Sequence, residues 1–213
     1  MEKKSCVDCG SLCCGEQTGS YPDFCLTTGA DAADLEEVRR LYTEDGPVRR
    51  LAMAAAEVEG AFYCRYTRVE EIMEFARRLG AKRIGIATCG ATMAEARTFA
   101  RILRVHGFEV VACQCKAGAL PKEELGIQAQ YIKRPEERAC NPVLQAKILN
   151  RAGTDLNVTL GLCVGHDSLF YRFSQAPVTT LFAKDRVTGH SPAAPLYLTH
   201  SFYRRLLEPE NGG

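Results

Sequence analysis

Five of the chain's eleven cysteines crowd into residues 6–25, CVDCGSLCCGEQTGSYPDFC. Cys6 and Cys9 form a C-x2-C pair, which brings two sulfurs within reach of one metal, and Cys13, Cys14 and Cys25 offer at least two more ligands. Four thiolates satisfy tetrahedral zinc or an iron–sulfur cluster. The spacing is not the paired C-x2-C of common zinc ribbons, nor the C-x2-C-x2-C run of bacterial ferredoxins, so the residues point to a metal without choosing it. The competing reading is a reduced tail with spare thiols.

A second group of cysteines is spread along the chain. Cys89 ends a strand-like run (RIGIATCG), Cys140 precedes a helix start (RACNPVLQA), and Cys163 ends another strand-like run (TLGLCVGHD). In an open parallel sheet such positions share one edge, where these folds bind ligands. A helix N-terminus lowers a thiol pKa and stabilises anionic sulfur. Gly90 and Gly165 let backbone approach a ligand closely, and His166 and Asp167 add an imidazole and a carboxylate. A lone cysteine at a strand end is ordinarily a small buried apolar residue; three in equivalent places favour a site. Lys184, Arg186 and His190, in AKDRVTGHSP, could serve an anionic group, with a structural ion pair at Asp185 as the alternative. Cys113 and Cys115 share one face of an extended segment, Cys113 toward the core and Cys115 toward the sheet edge. Cys64 is either core or a further ligand for the N-terminal segment.

The elements that must position these residues follow from local patterns. Helices are expected from Asp34 (DLEEVRRLYTE), over 47–60 with Pro47 at N1 and Gly60 at the end, and over 67–80 with a Thr67/Glu70 capping box. From residue 82 the pattern alternates. Strands are expected at 82–88, 108–113, 156–163 and 177–184. Helices are expected at 92–107 (capping box Thr92/Glu95), 141–153 (Asn141 N-cap, Pro142 at N1) and 167–174. Strands alternating with helices imply a mostly parallel sheet in a small three-layer αβα, Rossmann-like domain. The expected organisation is a Cys-rich irregular segment (1–30) packed on a single α/β domain (31–213), helical over 31–80 with a βαβ core over 81–213. Residues 114–140 lack periodicity and read either as a solvated loop with a short helix at 121–126 or as a functional lid.

Composition narrows the class. The chain has 213 residues, is 25% charged and carries a formal net charge of +1, so no basic face directs it to nucleic acid. The longest apolar stretches fall far short of about 20 residues, so no membrane span is expected. MEKKSC has no apolar region behind it, which argues against a secretory signal and for a cytoplasmic protein, where thiols stay reduced. An odd cysteine count also excludes complete disulfide pairing. There is no P-loop, and CGATMAEA lacks the dinucleotide glycine fingerprint.

The combination of CVDCG…YPDFC, YCRYTRVEEIMEFARRLGAKRIGIATC, CNPVLQAKILN, GLCVGHDSLFYR and APVTTLFAKDRVTGH resembles the DUF1847 family across nearly the whole chain. That resemblance implies a cysteine-rich metal-binding protein and supplies no reaction. It maps the family's cysteines onto Cys6, Cys9, Cys14, Cys25, Cys64, Cys89, Cys140 and Cys163, with Cys13 as an extra thiol. Three functions follow. The first is a metal-dependent redox protein whose Cys89, Cys140 and Cys163 hold a second centre or form reactive thiols. The second is a zinc-stabilised enzyme with Cys163 as nucleophile and His166 as base. The third is a non-catalytic metal sensor or carrier. The partner is a small molecule or a redox protein, and the metal is zinc or an iron–sulfur cluster.

Overall fold

The structure, a computed structural model, describes residues 4–15 and 19–208. Two compact units divide the chain, residues 1–57 and 58–213.

In the first unit, a single turn at Cys6–Asp8 is tied by the Ser5 N–H donating to Asp8 Oδ2 at 2.8 Å. Helix α1 spans Ala32–Thr43 and starts before the expected Asp34. The reason is its cap: Asp31 Oδ1 accepts from the N–H groups of Ala33 and Asp34, at 2.7 and 3.3 Å. Asp34 then lies in the first turn, where a negative charge suits the helix dipole. Helix α2 begins in this unit, spans Pro47–Phe62 and runs through Gly60, the expected stop, which already belongs to the second unit. The chain turns out of helical geometry at Cys64 instead (φ 55°).

In the second unit, α3 (Arg68–Arg78) has the expected capping box, with the Thr67 N–H donating to Glu70 Oε2 at 2.8 Å, and Gly80 (φ 70°) follows it. Then come β1 (Arg83–Thr88), α4 (Met93–Val105), β2 (Glu109–Gln114), α5 (Pro142–Arg151), β3 (Leu156–Leu160), α6 (His166–Phe173), β4 (Val178–Phe182) and a short α7 (Ala194–Tyr197). Among the described residues the four strands form one parallel sheet in the order β2-β1-β3-β4. The expected α/β fold with a mostly parallel sheet is therefore present, and its four strands are all parallel.

Period-two alternation splits the sheet's side chains between two layers. Ile84, Ile86, Leu156, Val158 and Leu160 are buried with Phe99 and Leu103 of α4 and Ile72 and Met73 of α3. Ala87 and Cys113 point the other way, and are buried with Ala146 and Leu149 of α5 and Phe170 of α6. A Cβ at Gly85 would stand 2.0 Å from Asn157 Oδ1 and 2.9 Å from Leu149, so this face of β1 admits no side chain there.

Thr92 does not cap α4 with Glu95. Its side chain is buried, and its hydroxyl lies 3.1 Å from the Cys89 carbonyl, 3.3 Å from the Leu160 carbonyl and 3.2 Å from the Thr88 hydroxyl. The carbonyls of Cys89 and Leu160 already accept the N–H groups of Thr92 and Cys89, at 3.0 and 3.4 Å, and the buried Thr92 hydroxyl finds its own partners by lying against them. β3 likewise stops at Leu160, because Gly161 takes φ 62° under Thr92.

Candidate functional site

Within the first unit, Cys6, Cys9, Cys14 and Cys25 wall one small void of about 50 Å3, closed by Leu12, Phe24 and Leu26. The local chain aims N–H groups at the sulfurs. Leu12 adopts a left-handed conformation (φ 48°) that no side chain favours. Hydrogen bonds from the Ser11 side chain and from the Leu12 and Ser11 N–H groups lower the Cys9 thiol pKa. The Cys25 thiol is lowered in the same way, first by the Thr28 N–H and then by Thr27. The Thr27 hydroxyl donates to Cys14 Sγ at 3.4 Å. Donors around sulfur favour its anionic form, the form that binds metal. Cys13 is buried, outside the void, with its thiol 3.7 Å from the Ser11 hydroxyl. Cys64 belongs to the second unit and is exposed. Among the described residues, no three Cys, His, Asp or Glu side chains draw together closely enough to hold one metal ion. The four thiols with apolar walls are nonetheless a donor set that fits a thiophilic metal centre.

In the second unit, the carboxyl edge of the sheet opens into a cavity of about 580 Å3. Its walls include Cys89, Gly90, Cys140, Cys163, His166 and Arg186, six residues expected at a site. Gly165, Asp167, Lys184 and His190 do not line it. Gly165 (φ 80°) makes the turn into α6, and the Asp167 carboxylate accepts from the Ser168 N–H. His190 stacks on Phe182, with ring centroids 5.2 Å apart, and its Nδ1 accepts from the Asp185 N–H at 3.2 Å. Asp185 itself accepts from the Val187 and Thr188 N–H groups, so this loop is held by its own turn rather than by an ion pair.

The cavity also draws in Cys115, which alternation placed toward the sheet edge, and side chains of the aperiodic segment that no local pattern singled out. Cys115 lines it, as do Lys116, Lys122, Tyr131, Lys133 and Glu137 of the segment 114–140. That segment is an ordered wall. Its Lys122 N–H donates to the Glu137 carbonyl, the Ala139 N–H to the Leu120 carbonyl, and the Lys122–Glu137 ion pair closes at 3.0 Å. Register strengthens the placement of Cys115 that alternation suggested. Thr88 pairs with Gln114, so Cys89 and Cys115 are the next residues beyond the same end of two adjacent strands.

The electrostatics single out one thiol. The Cys115 side chain is hydrogen-bonded to Cys140, and the Asn141 N–H donates to the Cys115 carbonyl at 2.7 Å. The Cys115 bond, with Lys116 and His166 beside it, brings the Cys140 thiol down to about 5. Cys115 moves up, because it supplies the shared proton and is buried. Cys163 accepts a hydrogen bond from Arg186 Nη2 at 3.1 Å, and its carbonyl takes the first N–H groups of α6. Cys113 is a core residue under α5 whose thiol is pushed up by burial. The cavity is thus thiol-floored and cation-rimmed, and it suits an anionic reactant or a thiolate intermediate.

Residues 25–181 match the profile of DUF1847, described as a protein of unknown function. The chain is 43% identical over 159 residues to the uncharacterized protein MJ0455 of Methanocaldococcus jannaschii, covering 75% of this chain and 81% of that one. Two solved variants of N-acetyl-L-ornithine transcarbamylase, each complexed with carbamyl phosphate and N-succinyl-L-norvaline, align at 14% and 16% identity with a TM-score of 0.34. They cover 67% and 60% of this chain, which spans only 41% and 40% of theirs, and a likeness at this level carries no argument. No described helix is long and apolar enough to cross a membrane.

Proposed function

The chain belongs to the DUF1847 family, whose function is unknown, and from that premise we propose that it is a metal-binding thiol protein. Cys6, Cys9, Cys14 and Cys25 hold the metal centre, and the thiols of the sheet-edge cavity carry its chemistry. The observation that supports the metal reading is the void of about 50 Å3 walled by four sulfurs and three apolar side chains. A single zinc with Zn–S bonds of about 2.3 Å pulls all four sulfurs onto one point. A cluster keeps its thiolates apart, because iron and sulfide stand between them. The four-thiolate set can supply either centre, and the cluster is put first for the hydrogen bonds to its sulfurs. Hydrogen bonds to the Cys9 and Cys25 sulfurs are the kind that tune a cluster.

A zinc-stabilised enzyme is the second reading. It is favoured by Cys163 and His166 sharing the cavity and by the Arg186 hydrogen bond to Cys163. In that case zinc is structural and the cavity is a thiolate active site.

Metal and sulfide content of protein purified without oxygen tests both. Iron with inorganic sulfide, lost in Cys9→Ser and kept in Cys163→Ser, is expected. Zinc with the same dependence selects the second reading. Full metal content in Cys9→Ser overturns both.

A further inference from the structure

We propose that Cys115 and Cys140 form a dithiol–disulfide couple that exchanges with a small, negatively charged disulfide entering the sheet-edge cavity. This rests on the reading that the cavity's thiols carry chemistry, and it assigns that chemistry to one pair.

The pair is placed by tertiary structure from two distant points of the chain. The peptide joining Cys140 to Asn141 donates its N–H to the carbonyl of Cys115 at 2.7 Å, so the two side chains start from adjoining backbone. Both residues line the same cavity. A disulfide requires neighbouring backbones and facing side chains, and this arrangement supplies them. The two thiols are unequal in access. Cys115 is only 3% exposed, whereas Cys140 is half-buried and open to the cavity. Exchange needs this inequality: an accessible thiol attacks first and a sheltered neighbour resolves. The surroundings suit the same order. Lys116 and His166 stand beside Cys140, and the Gly90 N–H is directed to Cys115.

The cations also set the reactant's charge. Lys133 and Arg186 line the cavity with Lys116 and His166, and the one acid in the wall, Glu137, is paired with Lys122. Carboxylates on the reactant would find counter-charges there.

The steps balance without another reagent. The Cys140 thiolate attacks one sulfur of the disulfide RS–SR. A Cys140–SR bond forms, the RS–SR bond breaks, and RS⁻ leaves and takes up a proton. The Cys115 sulfur, having given its proton to solvent, attacks Cys140 Sγ, and the second RS⁻ departs. Two electrons have passed from the cysteine pair to the small disulfide, yielding two RSH. Thiols of the same class reset the pair by the reverse sequence.

Oxidised glutathione is the probe, added without oxygen to the full chain carrying its metal. Peptide mass mapping under non-reducing conditions should find a Cys115–Cys140 disulfide, with about two glutathione thiols released for each one formed. Cys115→Ser should stop halfway, with a stable glutathione adduct on Cys140 and one thiol released. Cys115→Ala, which adds no polar group to the buried seat, must trap the same adduct. Cys140→Ser should leave Cys115 unmodified. An adduct that accumulates on Cys163 or Cys89 in the native chain, with Cys115 and Cys140 untouched, overturns the pair but keeps the cavity as a thiol site. If no cavity cysteine reacts, the reading of the cavity falls with it. Metal content is measured on the same samples, so the N-terminal centre is judged separately.

Discussion

Replacing Cys115 by alanine should raise the acid constant of Cys140. In the native protein the Cys140 thiol is brought down to about 5, first by the Cys115 hydrogen bond and then by Lys116 and His166. Arg186 also feels the charge of Cys140, and Cys89 and Cys163 share the cavity. An ordinary thiol titrates near 8.5. At pH 6.5 that difference makes Cys140 almost wholly thiolate, against roughly 1% for an ordinary cysteine, a gain of about 100-fold in the reactive form. A weaker base is also a weaker nucleophile. With a Brønsted coefficient of about 0.4–0.5, the same lowering costs roughly 25- to 55-fold in intrinsic reactivity. The two nearly cancel, so a rate at one pH says little, and the midpoint of the pH–rate profile is the useful quantity. The assay follows loss of free Cys140 by peptide mass mapping after timed exposure to dithiodipyridine between about pH 4 and pH 9. The group is an acid with a depressed constant, so its thiolate is present above about 5 and is lost as pH falls through that value. The native profile should be level from about pH 6 upward, while Cys115→Ala should climb at higher pH, held partly down by Lys116 and His166. A native midpoint near 8.5, or an unchanged midpoint in Cys115→Ala, refutes the argument. The same linkage acts on stability. Between about 5 and the ordinary thiol range the folded pair binds fewer protons than the unfolded chain, so this contribution grows as pH rises across that window.

Other expectations concern the frame around the two sites. Gly161→Ala places a Cβ 2.6 Å from the Thr92 hydroxyl at a φ of 62°, and should destabilise the fold by about 2–4 kcal/mol in a urea titration. It should also disturb the alkylation rate of Cys163, two residues on. Gly85→Ala drives a Cβ to 2.0 Å from Asn157 Oδ1, inside a layer with no room, and should cost about 3 kcal/mol or more, read as a fall in the urea midpoint. Cys13→Ser should keep full metal content by elemental analysis whereas Cys14→Ser should not, because Cys13 lies outside the void that Cys14 walls.

Local rules were legible wherever a residue's neighbours in the chain are also its partners in space. The Thr67–Glu70 box and the Asn141 cap, whose Oδ1 accepts from the Leu144 N–H at 2.9 Å, are contacts three residues apart. They failed where a distant partner competed. Thr92 has the sequence of a capping residue, yet its buried hydroxyl turns to the carbonyls of Cys89 and Leu160. Gly60 looks like a helix end, but α2 continues through it to Phe62.

The sequence by itself determined the order of strands and helices from residue 82 on, because period-two and period-3.6 burial are written locally. It also determined that three cysteines fall at strand or helix ends, and that a thiol-rich segment precedes the first helix. Only the tertiary structure decided which thiols meet. Cys115 reaches Cys140 because parallel register brings β2's end beside β1's and α5 starts above both, while the 24 residues between the two cysteines carry no periodic signal. The same folding-back set Lys116, Lys122 and Lys133 around the cavity and left Lys184 and His190 outside it. Strand register is a property of paired strands, so no single stretch of sequence records it.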